Sequence, residues 1–353
     1  MSTINDLRKA WSLAAHHHTG QTYGGSQPGQ SVEYLEHIGA VLLEATAALA
    51  HHPAVDGRVV KLCAILHDIL EDTDCDPEQL KVAFGETVLQ GVQALSKNPT
   101  IAAKDEQMVD SLQRIQQAGP AVAIVKLADR ICNLAAPPHY WSAEKMAAYL
   151  TEAQLILDTL GGHSPYLANR LHQRMVAYRY RNVPIALRSK GRLTSLLKAV
   201  GRQDWDSAVK YVQALTYGRT SRRSDLSLVL TEKCGTCSSK HALLKALALE
   251  NELQDVRLIL CMYKMSVANT PGIGTALHDN NLGYIPEAHC YVAIGDEKWD
   301  ITNPQSDMSR IQGDILVERE IDPAQVGDFK VTYHKDYIRR WAQEENLSQS
   351  PGE

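Results

Sequence analysis

The chain has 353 residues, of which 44% are hydrophobic and 22% are charged, and its formal net charge is −5 at pH 7. These values are ordinary for a globular protein and exclude a disordered or fibrous chain. The length predicts two domains, and the negative charge argues against general affinity for nucleic acid. Seven cysteines, an odd number in a long chain, argue against a disulfide framework.

Neither a targeting segment nor a membrane segment is predicted. The N-terminal stretch MSTINDLRKAW mixes acidic and basic residues and lacks the apolar core of a signal peptide. The longest aliphatic stretch begins at Ile38, is interrupted by Glu44 and is too short to cross a bilayer. We therefore expect a cytoplasmic protein.

Residues 1–181 predict helix after helix with short polar breaks, which indicates an all-α domain. The first helix is expected to end near the adjacent histidines 16–18, which are predicted to lie at the surface, with a place for His18 at the border of the cleft as the alternative. The stretch TGQTYGGSQPGQS that follows predicts a loop. Ser31 is a candidate N-cap of the next helix, which has His37 at the edge of its apolar face.

The stretch from Lys61 to Asp74, KLCAILHDILEDTD, combines an apolar helical face with a crowded polar edge. Four ionisable groups lie on that edge: His67, Asp68, Glu71 and Asp72. An imidazole beside a carboxylate is half of a divalent-metal site, and two carboxylates one turn away could handle protons from an attacking water. The alternative is a solvated acidic helix edge, so the metal interpretation needs further ligands.

Further helices are predicted before residue 120. Asp76-Pro77 are expected to be the N-cap and first residue of a short helix that ends at Gly85. A longer helix is predicted over Lys104–Ala118.

The helix that begins at Pro120 supplies a further ligand. Asp129 and Asn133 lie four residues apart beside its buried stripe. A buried carboxylate is costly unless it is paired or bound to a metal. Four side chains from three helices would then form the ligand set: His37, His67, Asp68 and Asp129. This mixed set suits manganese, iron or zinc, with positions left open for water and substrate.

The order of these motifs resembles that of the HD phosphohydrolase superfamily. Within it, AILHDILEDTD and VKLADRICNL are similar to the hydrolase domain of RelA/SpoT-type proteins and of the small alarmone hydrolases. HTGQ from His18, and EH before an apolar helix, agree with this resemblance, which covers roughly residues 5–180. It implies an all-α fold and manganese-dependent removal of the 3′-pyrophosphate from ppGpp-like nucleotides, with Fe²⁺ and Zn²⁺ as alternative metals.

The resemblance also implies roles for individual residues. Four residues would hold the metal: His37, His67, Asp68 and Asp129. Glu71 and Asp72 would position or deprotonate the attacking water, and Asn133 would contact the nucleotide.

The chain departs from this family at two places. Thr22-Tyr23 stand after GQ where the family usually has a basic residue, and residues 33–38 read EYLEHI where PY-x-x-HP is usual. A basic side chain there would meet the base or the phosphates. The departures therefore bear on the choice of nucleotide and leave the metal chemistry untouched.

A basic segment follows the helical half. No acid occurs between Asp158 and Asp204, whereas basic residues recur throughout: Arg170, Arg174, Arg179, Arg181, Arg188, Lys190, Arg192, Lys198 and Arg202. Such a run could bind phosphates or an acidic partner, but a solvated connector is the more common case. Because the sequence changes character near Asn182–Ser189, we predict a basic helical connector over 182–224.

Residues 225–330 predict a smaller α+β domain. A helical pattern directly follows Gly235-Thr236-Cys237, which places Cys237 at a helix N-terminus, where the helix dipole favours a thiolate. Three later stretches have the length and residue content of strands: VRLILCMY at Val256, AHCYVAI at Ala288 and KWDITN at Lys298. The tail over 331–353, which ends in EENLSQSPGE, is expected to fray.

Three residues of this half have the order of nucleophile, base and orienting acid: Cys237 before a helix, His289 in the second strand and Asp300 in the third. This succession resembles the transglutaminase-like superfamily of papain-like folds over roughly residues 225–305. The resemblance implies amide hydrolysis or acyl transfer without a cofactor, with Cys237 as nucleophile, His289 as base and Asp300 as the orienting acid.

Two alternatives remain open for this half. Cys234 and Cys237 could hold zinc with His289 and Cys290, although two adjacent strand residues point to opposite faces. Alternatively, the triad is inactive and the domain binds a partner.

The sequence therefore predicts an HD metal phosphohydrolase that acts on a nucleotide, fused to a transglutaminase-like domain with a protein substrate or partner. The alternative is a regulatory protein whose first half senses a nucleotide. Its second half would bind a protein or act as a cysteine amidase or acyltransferase.

Overall fold

The structure is a computed structural model that describes residues 3–345. The chain divides into two compact units, 1–183 and 184–353, and each is described by itself. Within the described residues, no helix combines the length and the apolar character needed to cross a membrane.

The first unit is helical. Its helices are α1 Thr3–His17, α2 Tyr34–Ala48, α3 Gly57–Leu66, α4 Ile69–Asp72, α5 Pro77–Phe84, α6 Glu86–Leu95, α7 Lys104–Ala118, α8 Pro120–Asn133, α9 Ala143–Leu160 and α10 Pro165–Asn182. Helices α2, α3 and α8 pack against one another around a shared apolar core. Helix α2 carries His37 and α8 carries Asp129, whereas His67 and Asp68 directly follow the end of α3, so the core that these helices form fixes the spacing of the four residues.

Local sequence signals account for several helix ends. The Asp76 carboxylate accepts a hydrogen bond from the backbone N–H of Glu78, and Pro77 occupies the first turn of α5, as predicted. Gly119 precedes α8 with φ of 92°, a backbone conformation that favours glycine. The predicted helix over Lys104–Ala118 is confirmed at both ends.

The stretch before α2 differs from the prediction. Strand β1 Thr22–Gly24 pairs antiparallel with strand β2 Ser31–Glu33, with Tyr23 opposite Val32. The predicted loop is therefore a short β-hairpin, and Ser31 lies in a strand instead of capping a helix. Strands of three residues are too short to show an alternating pattern, which is why the sequence did not indicate them.

The second unit mixes helices with an antiparallel sheet. Its helices are α11 Arg192–Ala199, α12 Trp205–Ala214, α13 Leu228–Thr231, α14 Cys237–Glu250, α15 Ala276–Asp279, α16 Ser309–Gln312 and α17 Asp328–Glu344. Its strands are β3 Thr216–Tyr217, β4 Cys234–Gly235, β5 Val256–Met265, β6 Ile285–Ile294, β7 Glu297–Trp299 and β8 Ile315–Glu320. The last four form an antiparallel sheet in the order β7-β6-β5-β8, and β3 pairs with β4 in parallel.

Helix α14 packs against β5 and β6 and is the central helix of this unit. Ala242 on α14 shares an apolar cluster with Leu258, Leu260 and Met262, which alternate along β5 and so lie on one face of the sheet. The α+β class predicted for this half agrees with the sheet. Its identity as a papain-like or transglutaminase-like fold stays a prediction.

Three details of the second half differ from the sequence-based prediction. The segment 182–224, predicted as a basic helical connector, contains helices α11 and α12, and from residue 184 on it belongs to the second unit, where both helices pack against α14. Strand β7 ends at Trp299, so Asp300 follows the strand instead of lying within it. The predicted frayed tail is helical to Glu344 because Trp341 and Ala342 are buried, whereas residues 346–353 lie outside the described part of the chain.

Candidate metal centre and thiol site

Four side chains of the first unit converge on one point. The Nε2 atoms of His37 and His67 are 3.2 Å apart. The Oδ1 atom of Asp129 lies 3.4 Å from His37 Nε2 and 3.9 Å from His67 Nε2. The Oδ2 atom of Asp68 lies 2.9 Å from His67 Nε2 and 3.8 Å from His37 Nε2. The ligand atoms of His37, His67 and Asp129 thus form one cluster, and the Asp68 carboxylate lies beside the two imidazoles of that cluster.

The break between α3 and α4 allows neighbouring residues to share this point. An unbroken helix would separate consecutive side chains by about 100°. The structure instead has a turn at His67–Asp68, and Asp68 adopts φ −101° and ψ −2° before α4 starts. The predicted continuous helix over Lys61–Asp74 is therefore wrong at its functional centre.

The arrangement fits a divalent cation. Ligand atoms about 2.1 Å from a metal lie roughly 3 to 3.5 Å from one another, close to the separations observed. The Nδ1–H group of His67 donates a hydrogen bond to the Ala64 carbonyl at 2.9 Å, which orients Nε2 toward His37 and Asp68. A bound cation would take the place of the proton on Nε2. Within residues 3–345, His37, His67 and Asp129 are also the only cluster of three such donors close enough to share an ion. Two imidazoles and two carboxylates suit manganese, iron or zinc and do not select one of them.

The electrostatics of the cluster favour positive charge at its centre. Burial raises the pKa of Asp68, but the His67 imidazole outweighs burial and lowers the pKa to about 2. Burial also raises the pKa of Asp129, yet Lys126 and the two imidazoles hold it well below its usual range. For His67, burial lowers the pKa, whereas Asp68 raises it to about 9. Both carboxylates are therefore ionised at neutral pH.

Tyr34 is a site residue that the sequence analysis missed. Its hydroxyl lies 2.6 Å from Asp68 Oδ2 and 2.7 Å from Asp72 Oδ2, so it links a proposed ligand to a proposed proton acceptor. Burial, followed by the Asp68 charge, raises the pKa of Tyr34, which keeps the phenol protonated. The helical pattern counted Tyr34 as an apolar residue, and its hydroxyl gave no separate signal.

Two residues of the HTGQ segment, His18 and Gln21, hold Tyr34 and the Asp72 backbone in place. The ring of His18 stacks on Tyr34 with centroids 4.8 Å apart, and His18 Nδ1 lies 2.7 Å from Gln21 Oε1. Gln21 in turn donates a hydrogen bond to the Asp72 carbonyl at 2.8 Å. His18 is buried against Tyr34, so the surface position predicted for it is wrong, and the alternative position beside the site agrees with the structure.

The remaining predicted residues of this unit surround the ligands. Glu71 accepts hydrogen bonds from the Lys97 ammonium at 2.7 Å and from the Lys97 backbone N–H at 2.9 Å. Asn133 Nδ2 donates to Asp129 Oδ1 at 2.5 Å, so in this structure its amide orients a ligand. Burial and the charges of Asp68 and Glu71 outweigh the Tyr34 hydrogen bond and raise the pKa of Asp72.

A second site lies at the start of α14. Thr236 caps this helix and Cys237 is its first residue. Burial raises the pKa of Cys237, but the His289 charge, with a contribution from Lys330, lowers it to about 6. His289 Nε2 lies 3.1 Å from Asp300 Oδ2. The structure therefore assembles the thiol, imidazole and carboxylate that the sequence proposed as a triad.

Asp300 and Cys237 are held in place by neighbours. Asp300 Oδ1 accepts hydrogen bonds from the Thr302 hydroxyl at 2.5 Å and the Thr302 backbone N–H at 3.0 Å. The buried His241 joins the two halves of the site: its Nδ1–H donates to the Cys237 carbonyl at 2.6 Å, and its Nε2 accepts from the Ile301 N–H at 2.8 Å. Burial lowers the pKa of His241 to about 4, which keeps it neutral in this role.

The zinc alternative receives no support from this geometry. The thiol and imidazole donors of Cys234, Cys237, His289 and Cys290 do not form a shared cluster of three ligand atoms among the described residues. The interactions of Cys237 with His289 instead favour a thiolate–imidazolium pair.

Comparison with known proteins finds similarity over the N-terminal half of the chain. Residues 10–164 match the model of the HD domain family, so the N-terminal half carries an HD domain. Guanosine-3′,5′-bis(diphosphate) 3′-pyrophosphohydrolase MESH1 of Mus musculus is 28% identical over 49% of this chain and 94% of its own length. The guanosine-3′,5′-bis(diphosphate) 3′-pyrophosphohydrolase of Aquifex aeolicus is 30% identical over 36% of this chain and 17% of its own length. The predicted HD and RelA/SpoT-type resemblance is thus confirmed for the N-terminal half.

A solved structure is also similar. It is a metazoan ortholog of SpoT that is 24% identical, with a TM-score of 0.41 over 48% of this chain and 93% of that one.

Proposed function

We propose that the first unit is a metal-dependent nucleotide pyrophosphohydrolase. The convergence of His37, His67, Asp68 and Asp129 on one point carries this proposal. The similar proteins support it because they are pyrophosphohydrolases of guanosine-3′,5′-bis(diphosphate). Mn²⁺ is the proposed ion, with Fe²⁺ and Zn²⁺ as alternatives.

The proposed chemistry divides between the cation and the side chains around it. A bound divalent cation would neutralise charge on a phosphate oxygen and acidify water. Asp72 is the proposed proton acceptor because the Tyr34 hydroxyl holds its carboxylate beside Asp68. Glu71 is proposed to orient the attacking water, with its carboxylate fixed by Lys97.

The proposed substrate is guanosine 3′-diphosphate 5′-diphosphate. The similarity to the MESH1 hydrolase supports this choice. Thr22 and Tyr23 lie on β1 at the place where the family usually has a basic residue. Because that residue bears on the choice of nucleotide, several nucleotides should be compared as substrates. Asn133 stays a candidate contact to the nucleotide in addition to its hydrogen bond with Asp129.

The test is pyrophosphate release by the full chain with Mn²⁺ from ppGpp, GTP and deoxynucleoside triphosphates. We expect release from ppGpp and its loss in Asp68→Ala, because that variant removes one ligand. Asp74→Ala is the matched control, since Asp74 is an exposed carboxylate whose one ion pair among residues 3–345 is with His17. Release that Asp68→Ala leaves at the wild-type rate would contradict the proposal.

The second unit has its own candidate function, which the arrangement of Cys237, His289 and Asp300 favours. We propose that Cys237 Sγ attacks a substrate carbonyl, forming a sulfur–carbon bond while the bond to the leaving amine or thiol breaks. His289 gives its proton to the leaving group, and Asp300 holds the imidazole in place. Water or another nucleophile then releases the acyl group and restores the thiol.

The ionisation of Cys237 gives this second activity a direct test. Because the pKa of Cys237 is lowered to about 6, alkylation by iodoacetamide should reach half its maximal rate near that pH and level off above it. The variant His289→Ala should move the midpoint upward. A wild-type midpoint near the pKa of an ordinary thiol, about 8.5, would contradict an activated nucleophile.

A further inference from the structure

The surface beside Cys237 contains a pocket of about 240 Å³. Three cationic side chains line it: Arg219, Arg223 and Lys330. Among the described residues, neither guanidinium lies within ion-pair distance of a carboxylate, and both side chains are exposed. Arginines at the mouth of a concave site, without an acidic partner, favour an anionic ligand.

Lys330 brings positive charge next to the thiol. Its ammonium donates one hydrogen bond, at 2.6 Å, to the hydroxyl of Ser238, which directly follows Cys237. Burial lowers the pKa of Lys330, but the charge of the Cys237 thiolate, together with Glu287 and other nearby groups, outweighs burial and raises the pKa. An ammonium has three donors, so this group can still bind a ligand in the pocket.

The pocket has little negative charge to oppose these groups. Glu287 is the one carboxylate lining it within residues 3–345, and its Oε2 lies 3.8 Å from the Nε2 atom of His334. Three cations against one carboxylate leave the pocket positive. An acyl substrate bound there would place its carbonyl at Cys237 and its anionic group among the cations.

We propose that the second unit acts on acyl compounds that carry a carboxylate or phosphate group near the carbonyl attacked by Cys237. The inference rests on the thiol chemistry proposed above and adds the substrate class. Arg219 and Arg223 bind the anionic group at the mouth of the pocket, and Lys330 binds it close to the thiol.

The test compares two alkylating reagents of similar size, anionic iodoacetate and neutral iodoacetamide. Alkylation of Cys237 is followed by mass spectrometry of its peptide in the full chain, because the other cysteines also react. We expect the double variant Arg219→Gln/Arg223→Gln to lower the iodoacetate-to-iodoacetamide rate ratio by about three- to tenfold, the effect of removing partly screened charges. The matched control is Arg222→Gln, an exposed arginine of the same segment that does not line the pocket.

Protection experiments identify the anionic group. Succinate and inorganic phosphate are each added before iodoacetamide, and slower alkylation by one of them assigns the carboxylate or the phosphate class. Two results would overturn the inference while leaving the thiol activity intact. One is rapid alkylation of Cys237 with the same iodoacetate-to-iodoacetamide rate ratio in the wild type, the double variant and Arg222→Gln. The other is alkylation by iodoacetamide that neither succinate nor phosphate slows. Slow alkylation of wild-type Cys237 by both reagents would instead overturn the thiol activity itself.

Discussion

At the scale of single residues, the first site depends on groups that do not themselves touch the proposed cation. Spacing and family resemblance were sufficient to select His37, His67, Asp68 and Asp129. They were not sufficient to find Tyr34, because a tyrosine on an apolar helical face usually contributes only packing. Its polar role depends on the approach of Asp68 and Asp72 from another helix, and the sequence order does not encode this approach.

The first prediction concerns the Tyr34 hydroxyl. Tyr34→Phe removes the hydrogen bonds to Asp68 and Asp72 but keeps the ring stacked on His18. Loss of such outer support costs about 10- to 100-fold in metal affinity, so we expect Mn²⁺ binding measured by calorimetric titration to weaken by that factor. Tyr166→Phe, in the same unit but stacked on His51, should leave the affinity unchanged. Equal affinities in Tyr34→Phe and wild type would show that the hydroxyl does not orient the ligand.

At the scale of elements, the sequence predicted the existence of helices and strands better than their ends. The helix over Lys104–Ala118 was predicted at both ends, because a glycine in the left-handed region follows it. The break at His67–Asp68 was missed, because the apolar periodicity continues across it and tertiary contacts decide the local backbone. Asp300 was placed within a strand for a related reason, since only pairing with β6 determines where β7 ends.

The second prediction concerns the packing of α6 in the first unit. A Cβ atom at Gly91 would lie 2.7 Å from Cys63 Sγ on α3 and 3.2 Å from Val122 Cγ2 on α8. Alanine normally favours a helix over glycine by about 1 kcal/mol, but overpacking a core costs about 1–3 kcal/mol. We therefore expect Gly91→Ala to lower the melting temperature of this unit, because buried neighbours cannot move away freely.

A matched control keeps this result interpretable. Gly162→Ala adds the same methyl group where no atom lies within 4 Å, so the melting temperature should not fall. A stabilising effect of Gly91→Ala would mean that α6 lies farther from α3 and α8 than the structure indicates.

At the scale of the whole molecule, the two units have separate cores and separate candidate chemistry. The change of sequence character near residue 182 indicated this division. The segment 182–224 was predicted as a basic helical connector, and most of it forms part of the second unit. Its helices α11 and α12 pack on α14, and this long-range contact is invisible in composition.

The third prediction concerns the unfolding of the two units. Separate cores predict two heat-absorption peaks in scanning calorimetry. Mn²⁺ should raise the temperature of only one peak, because a ligand that binds the native state stabilises the unit that holds it. The peak that responds should be the one that Gly91→Ala lowers. A shift of both peaks by the same amount, or of the other peak alone, would place the binding site outside the first unit.

The central claim is that the first unit uses a bound cation to remove pyrophosphate from a nucleotide. The most direct measurement is pyrophosphate release from ppGpp by the purified full chain before chelation, after chelation with EDTA, and after Mn²⁺ is restored. We predict release that is lost on chelation and recovered with Mn²⁺ in the wild type, with no recovery in Asp129→Ala. Release that persists through chelation, or recovery in Asp129→Ala equal to that of the wild type, would contradict the account.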